Sequence, residues 1–93
     1  MVIGLLTLEI YFPYSHSLKE KRKILKSFKD RIKNRYNISF AELDYQTKWQ
    51  RTKIGLVTIN SHRKPVESLL NRILYEAEKN IEGEIINSYI SYF

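Results

Sequence analysis

Residues 17–35 read Ser-Leu-Lys-Glu-Lys-Arg-Lys-Ile-Leu-Lys-Ser-Phe-Lys-Asp-Arg-Ile-Lys-Asn-Arg. Leu18, Ile24, Leu25, Phe28 and Ile32 recur at helical spacing and make one apolar stripe. Ser17 followed three residues later by Glu20 is a capping box. The hydroxyl accepts from the Glu20 N–H and the carboxylate reaches back to the Ser17 N–H. A helix with a single apolar stripe must lie on an apolar surface, and the segments on either side supply one.

Before the helix, Val2, Gly4, Leu6, Leu8, Ile10 and Phe12 alternate with Ile3, Leu5, Thr7, Glu9 and Tyr11. This is a strand over 2–12, with the even residues toward the helices and the odd ones turned away. Pro13 ends it, and Tyr14-Ser15-His16 leads into the helix. After the helix, residues 38–45 form a second strand and the β-branched run 53–60 a third. Between them lies the polar segment 46–51, with the chain's one Trp. Asn60 and Ser61 turn into a second helix with Pro65 in its first turn and an apolar stripe of Val66, Leu69, Leu70, Ile73, Leu74 and Ala77. Gly83 follows, and residues 84–92 are a last strand. The order β-α-β-β-α-β with right-handed crossovers predicts an α+β, ferredoxin-like domain over 1–93: a four-stranded antiparallel sheet with both helices on one face.

The charge is concentrated in one place. Residues 17–35 carry nine Lys or Arg against Glu20 and Asp30, while the other 74 residues carry seven basic and eight acidic groups. The net +6 therefore resides on the first helix. At about 100° per residue, Arg22, Lys26, Lys29 and Lys33 share an arc of roughly 60°, a ridge flanking the apolar stripe with Lys19 just beyond. Like-charge neighbours at i,i+4 cost a helix a few tenths of a kcal/mol each, and Arg22/Lys26, Lys29/Lys33 and Lys19/Lys23 are such pairs. A solvated surface face and a polyanion-binding face both fit this pattern. Lys21 lies inside the apolar stripe, between Leu18 and Leu25. Either it snorkels from a first turn that overhangs the core, or it points into a site at the helix N-terminus.

The bulk numbers exclude several classes. Ninety-three residues support one modest core. The absence of cysteine removes disulfides, thiolate metal sites and cysteine nucleophiles. No apolar run approaches the ~20 residues that span a bilayer, and Met1-Val2-Ile3-Gly4-Leu5-Leu6 reads as a strand rather than a signal peptide. A cytoplasmic protein without a membrane partner is expected. A pI near 9.6 suits a polyanionic partner.

The topology brings the start of the first helix and the 46–51 loop to one end of the sheet. His16, Ser17, Lys19, Lys21 and Arg22 then approach Trp49, Gln50 and Arg51. Free N–H groups and the positive end of the helix dipole suit a phosphate, and Arg51 can grip phosphate oxygens in a bidentate way. Trp49 either stacks on a base or folds back over the core, with Arg51 paired to Asp44 or Glu42. His16 and His62 fall at opposite ends and cannot share a metal, so each reads as a solvated loop residue. His62, Arg63 and Lys64 are expected near Lys33 and Arg35. The outer sheet face is expected to carry Ile3, Leu5 and Tyr11, with Ile54 and Leu56, and Tyr89 with Phe93 or else Tyr92. An uncovered apolar face of that size marks a homodimer or a partner.

Gly4-Leu5-Leu6, Ser17-Leu18-Lys19-Glu20-Lys21-Arg22, Ile38-Ser39-Phe40-Ala41-Glu42 and Trp49-Gln50-Arg51 with Ile54-Gly55 resemble the YlxP-like family, small bacterial proteins with a domain of unknown function. The resemblance covers essentially the whole chain and implies a ferredoxin-like fold. Genes of that family often stand near those for translation initiation and ribosome maturation, which implies a role near RNA or the ribosome. It supplies no catalytic residues, and its members often end in an acidic strand where this chain ends Ile90-Ser91-Tyr92-Phe93.

Three functions compete. An RNA-binding accessory protein would hold phosphates through Arg22, Lys26, Lys29 and Lys33, with Lys19, Lys23 and Arg51. It would not be an RRM, because residues 53–60 lack that module's stacking aromatics. A non-catalytic interaction module would dimerise through the sheet face and dock its basic helix on an acidic protein. An enzyme of the acylphosphatase kind needs glycines and an arginine in the loop that Pro13-Tyr14-Ser15-His16 occupies. No Ser-His-Asp set, paired carboxylates or Gly-rich phosphate loop can be assembled. The expectation is a non-enzyme with no cofactor and no metal.

Overall fold

Leu6, Leu8, Ile10 and Phe12 are all buried, so the even side of the first strand is the inner side. The computed structural model describes residues 1–93 as β1 (Val2–Tyr11), α1 (Leu18–Arg35), β2 (Ser39–Asp44), β3 (Arg51–Asn60), α2 (Arg63–Asn80) and β4 (Glu84–Tyr92). The sheet order is β2-β3-β1-β4, and every neighbouring pair is antiparallel. The inner residues of β1 share one core with Leu25, Phe28 and Ile32 of α1 and Val66, Leu70, Ile73 and Ala77 of α2. Both helices therefore cover the same face, and the fold is ferredoxin-like. Phe28 meets Phe40 edge-on at 6.3 Å between ring centres, which seats α1 over the β2 side.

Gly4 makes room for α2. A Cβ there would collide with Val66 Cγ1 and come within 2.8 Å of Leu70 Cδ1. The helix can sit this close to β1 only because that side chain is missing.

Ser17 caps α1 as its spacing predicts, its Oγ accepting from the Glu20 N–H at 3.1 Å. The reciprocal bond differs. Glu20 Oε2 accepts from the His16 N–H at 2.7 Å, one residue further back than the Ser17 N–H.

The third strand starts at Arg51 rather than Lys53, because Arg51 and Thr52 pair with Tyr11 and Ile10. Its outer face also differs from expectation. Ile54 and Leu56 stand opposite Leu8 and Leu6, and cross-strand partners share a face. Both are buried in the core. The outer side of β3 belongs instead to Val57 and Ile59, which stand opposite Leu5 and Ile3. Ladder irregularities fall between Glu42 and Asp44 of β2 and between Glu9 and Ile10 where β1 meets β4. Tyr11 is opposite both Arg51 and Glu84. The start of α1, the 45–50 connection and the end of α2 thus gather at one end of the sheet.

Candidate nucleic-acid interface

The α1 periodicity puts Arg22, Lys26 and Lys33 on the exposed side, with Lys29 half-buried beside them and Lys19 exposed just beyond. Lys26 Nζ lies 2.8 Å from Asp30 Oδ2, and this pair is open to solvent. The hydrogen bond from Lys26 holds the Asp30 carboxyl below its ordinary 3.8, and the charges of Lys26, Lys29 and Lys33 add to it. The same bond raises Lys26. A shallow groove of about 370 Å³ runs beside this ridge, lined by Arg22, Lys26, Lys29, Asp30, Phe40 and Glu42 among others. The ridge therefore flanks the edge strand β2. Lys23 does not belong to it. With Arg31 it lines a separate cleft of about 730 Å³, shared with Glu20, Glu82 and Glu84. Arg35 is paired with Glu76 of α2, and Arg63 stacks on Tyr92 with its Cζ 4.1 Å from the ring centre. The two basic groups at the foot of the helices are thus engaged by separate partners.

Lys21 neither snorkels nor faces an open site. It is 0% exposed. Its Nζ donates to Glu42 Oε2 at 3.0 Å, to the Tyr45 carbonyl at 2.7 Å and to the Arg51 carbonyl at 3.2 Å. All three ammonium protons have an acceptor, which is what makes burial of the charge tolerable. Glu42 is held in turn by the Thr52 hydroxyl at 2.6 Å. Lys21 cannot touch a phosphate from there. It clamps both shoulders of the 45–51 segment to α1.

That segment is shaped by further bonds. Tyr45 has φ 64, the left-handed region that a non-glycine residue rarely enters. Its carbonyl also accepts from the Lys48 N–H at 3.0 Å, and its N–H donates to Asp44 Oδ1 at 2.7 Å. Gln50 Nε2 donates to the carbonyls of Pro13 and Ser15 at 3.1 and 3.3 Å, tying the loop to the lead-in of α1. Trp49 does not fold over the core; it is 55% exposed. Arg51 pairs with neither Asp44 nor Glu42. Its Nη2 donates to Glu9 Oε2 at 3.2 Å, and its Cζ lies 4.6 Å over the Tyr45 ring. Tyr11, Tyr45, Thr47, Lys48, Trp49, Gln50 and Arg51 together enclose an open pocket of about 520 Å³.

Of the expected outer-face residues, Ile3 and Leu5 are half-buried, and Tyr11 and Tyr89 are exposed. Val57 and Ile59 join them. His16 and His62 are exposed, and no group of His, Asp and Glu converges as a metal site would require. No helix is long and apolar enough to cross a membrane. Sequence reasoning missed Tyr45 and Glu9 as parts of this end of the molecule, and it offered Glu42 to Arg51 where the structure gives it to Lys21. Only Lys21, a cation within an apolar stripe, signalled that an acceptor set had to exist.

A protein of Bacillus subtilis (strain 168) described as "Uncharacterized protein YlxP" is 40% identical over 73 residues, which span 78% of this chain and 79% of the relative. A solved structure, the de novo designed protein Ferredog-Diesel, superposes with a TM-score of 0.52 at 14% identity over 96% of this chain and 83% of the other. That likeness speaks for the fold alone. The family model described as "Protein of unknown function (DUF503)" matches residues 3–90, and the chain belongs to that family.

Proposed function

We propose that this protein is a non-catalytic RNA-binding accessory factor of the cytoplasm that acts on ribosomes or their precursors. The observation that carries the proposal is the ridge of Arg22, Lys26, Lys29 and Lys33. It displays four cations with one acid, Asp30, among them, on a helix that carries the whole charge excess, since the residues outside 17–35 hold seven basic and eight acidic groups. Lys19 extends it at the upper end. Phosphates are the natural ligands of such a row, and they fix position rather than sequence. Preference for one RNA would then come from its shape. The ribosomal context rests on the family resemblance.

The test is a salt titration of affinity for a structured ribosomal RNA fragment and a length-matched random RNA. Wild type should bind the ribosomal fragment more tightly and with a steep salt dependence. Arg22→Glu/Lys26→Glu/Lys29→Glu should lower the slope of log K against log salt by roughly two to three. Weak binding, equal for both RNAs and unmoved by the triple substitution, would leave the ridge a solvated face.

A second reading is a protein interaction module that dimerises through the open sheet face. The exposure of Val57, Ile59 and Tyr89 on that face favours it, because clustered apolar side chains in water usually mark an interface.

A further inference from the structure

We infer that the pocket formed by Tyr11, Tyr45, Trp49 and Arg51 receives one unpaired base of a single-stranded RNA segment, whose phosphates Lys48 and Arg51 hold; this rests on the RNA-binding reading. The pocket offers three aromatic side chains and a guanidinium around about 520 Å³ of open space. The indole is exposed. The face of a base stacks on such surfaces whatever its sequence. In a duplex both faces and the pairing edge are already taken, so an unpaired base is the form that fits.

The pocket is built before any ligand arrives. Tyr45 is held in the left-handed region by its neighbours, and a conformation of that cost persists only where surrounding bonds over-determine it. Here they do. Lys21 bonds the carbonyls at both ends of the segment, Lys48 bonds the Tyr45 carbonyl, and Gln50 bonds the lead-in of α1. Arg51 is oriented by Glu9 on one edge and by the Tyr45 ring beneath it, and its other edge has no partner. Lys48 makes no ion pair. Lys48 and the unpartnered edge of Arg51 are therefore available to phosphate oxygens. Lys21 and Arg22 are adjacent in α1, so the pocket and the ridge share one rigid mount. An RNA with a paired segment on the ridge and an unpaired end over the top of the sheet would meet both.

Trp49 is the chain's one Trp, so its emission reports on this site alone. Three probes separate the outcomes: a mixed-sequence single-stranded RNA decamer, the same sequence as a blunt duplex, and AMP at matched nucleotide concentration. The decamer should quench Trp49 saturably. The duplex should bind with little quenching, and AMP should give none. Trp49→Ala should weaken the decamer roughly five- to a hundred-fold, the span of one base stack, and leave duplex affinity essentially unchanged. Because the indole is largely exposed, this variant keeps the fold. Arg22→Glu/Lys26→Glu/Lys29→Glu should weaken both RNAs, so a failure of the ridge reading shows separately. Decamer binding with unaltered emission, equal losses for decamer and duplex in Trp49→Ala, or no decamer binding would overturn the inference. Quenching by AMP with the decamer's affinity would also overturn it, since the ligand would then be a soluble nucleotide.

Discussion

Lys21 is a charged residue where its neighbours in sequence call for Leu. Its burial is tolerated because Glu42, Tyr45 and Arg51 supply three oxygens. Removing the ammonium leaves two carbonyls and a half-buried carboxylate short of a donor. Breaking a buried pair from one side costs about 3–5 kcal/mol. Glu42 retains partial hydration, so Lys21→Met should lose about 3 kcal/mol in urea unfolding. Lys19→Met, two residues away and exposed, should stay within about 0.5 kcal/mol. Equal small losses for the two would mean that water, not Glu42, solvates Lys21. The sequence announced the anomaly but not its resolution. The acceptors lie 21 to 30 residues away, on β2, on β3 and in the connection between them, and no local spacing connects them. Gly4 is a second such residue. Gly4→Ala would push a methyl into Val66 and Leu70 and should cost about 1–3 kcal/mol, measured in the same urea series.

At the scale of elements, α1 was legible end to end because a 3.6-residue apolar period and an N-cap signal agree. Ser17→Ala should cost about 1 kcal/mol of stability in thermal unfolding. The Lys26–Asp30 pair gives α1 a pH signature. The folded Asp30 carboxyl lies below its ordinary value. Its contribution is therefore fully present above the unfolded value and is lost as pH falls through the folded one. Carboxyl carbon NMR should find Asp30 titrating below 3.8, and Lys26→Met should move it back toward that value. An Asp30 midpoint indifferent to Lys26 would show the pair to be unformed in solution. The strand β3 was harder to read for a physical reason. Ile54, Leu56, Val57 and Ile59 put apolar groups on both sides, so the alternation that tells inner from outer is broken. A one-residue error of phase exchanges the faces, and only pairing with β1 resolves it. The 45–50 connection was less legible still. Its conformation depends on long-range bonds from Lys21 and Gln50, and these put Trp49 in solvent and turn Arg51 toward Glu9.

The whole molecule presents two different surfaces, a basic ridge beside β2 and an apolar outer sheet face, and their layout decides whether both can be used together. Val57 and Ile59 pair with Leu5 and Ile3 at one end of β1, whereas the Trp49 pocket lies at the other end with Tyr11 and Arg51. Glu9, opposite Lys53 and ion-paired with Arg51, separates the two regions. A twofold dimer centred on Ile3, Leu5, Val57 and Ile59 would bury a side chain that is now 56% exposed at Ile59. It would leave the helices on the far side of each sheet free. Such a dimer carries two ridges, and linked sites gain affinity on a ligand long enough to reach both. Sedimentation should therefore show self-association that Val57→Lys/Ile59→Lys abolishes without lowering the thermal midpoint at concentrations where both proteins are monomers, since both positions face solvent there. Wild type should also prefer long RNA to short by a factor that the double variant loses, while its affinity for short RNA is unchanged. A wild type that sediments as a monomer at every concentration would remove the face as a self-interface. Wild type and the double variant would then show the same length dependence of RNA binding.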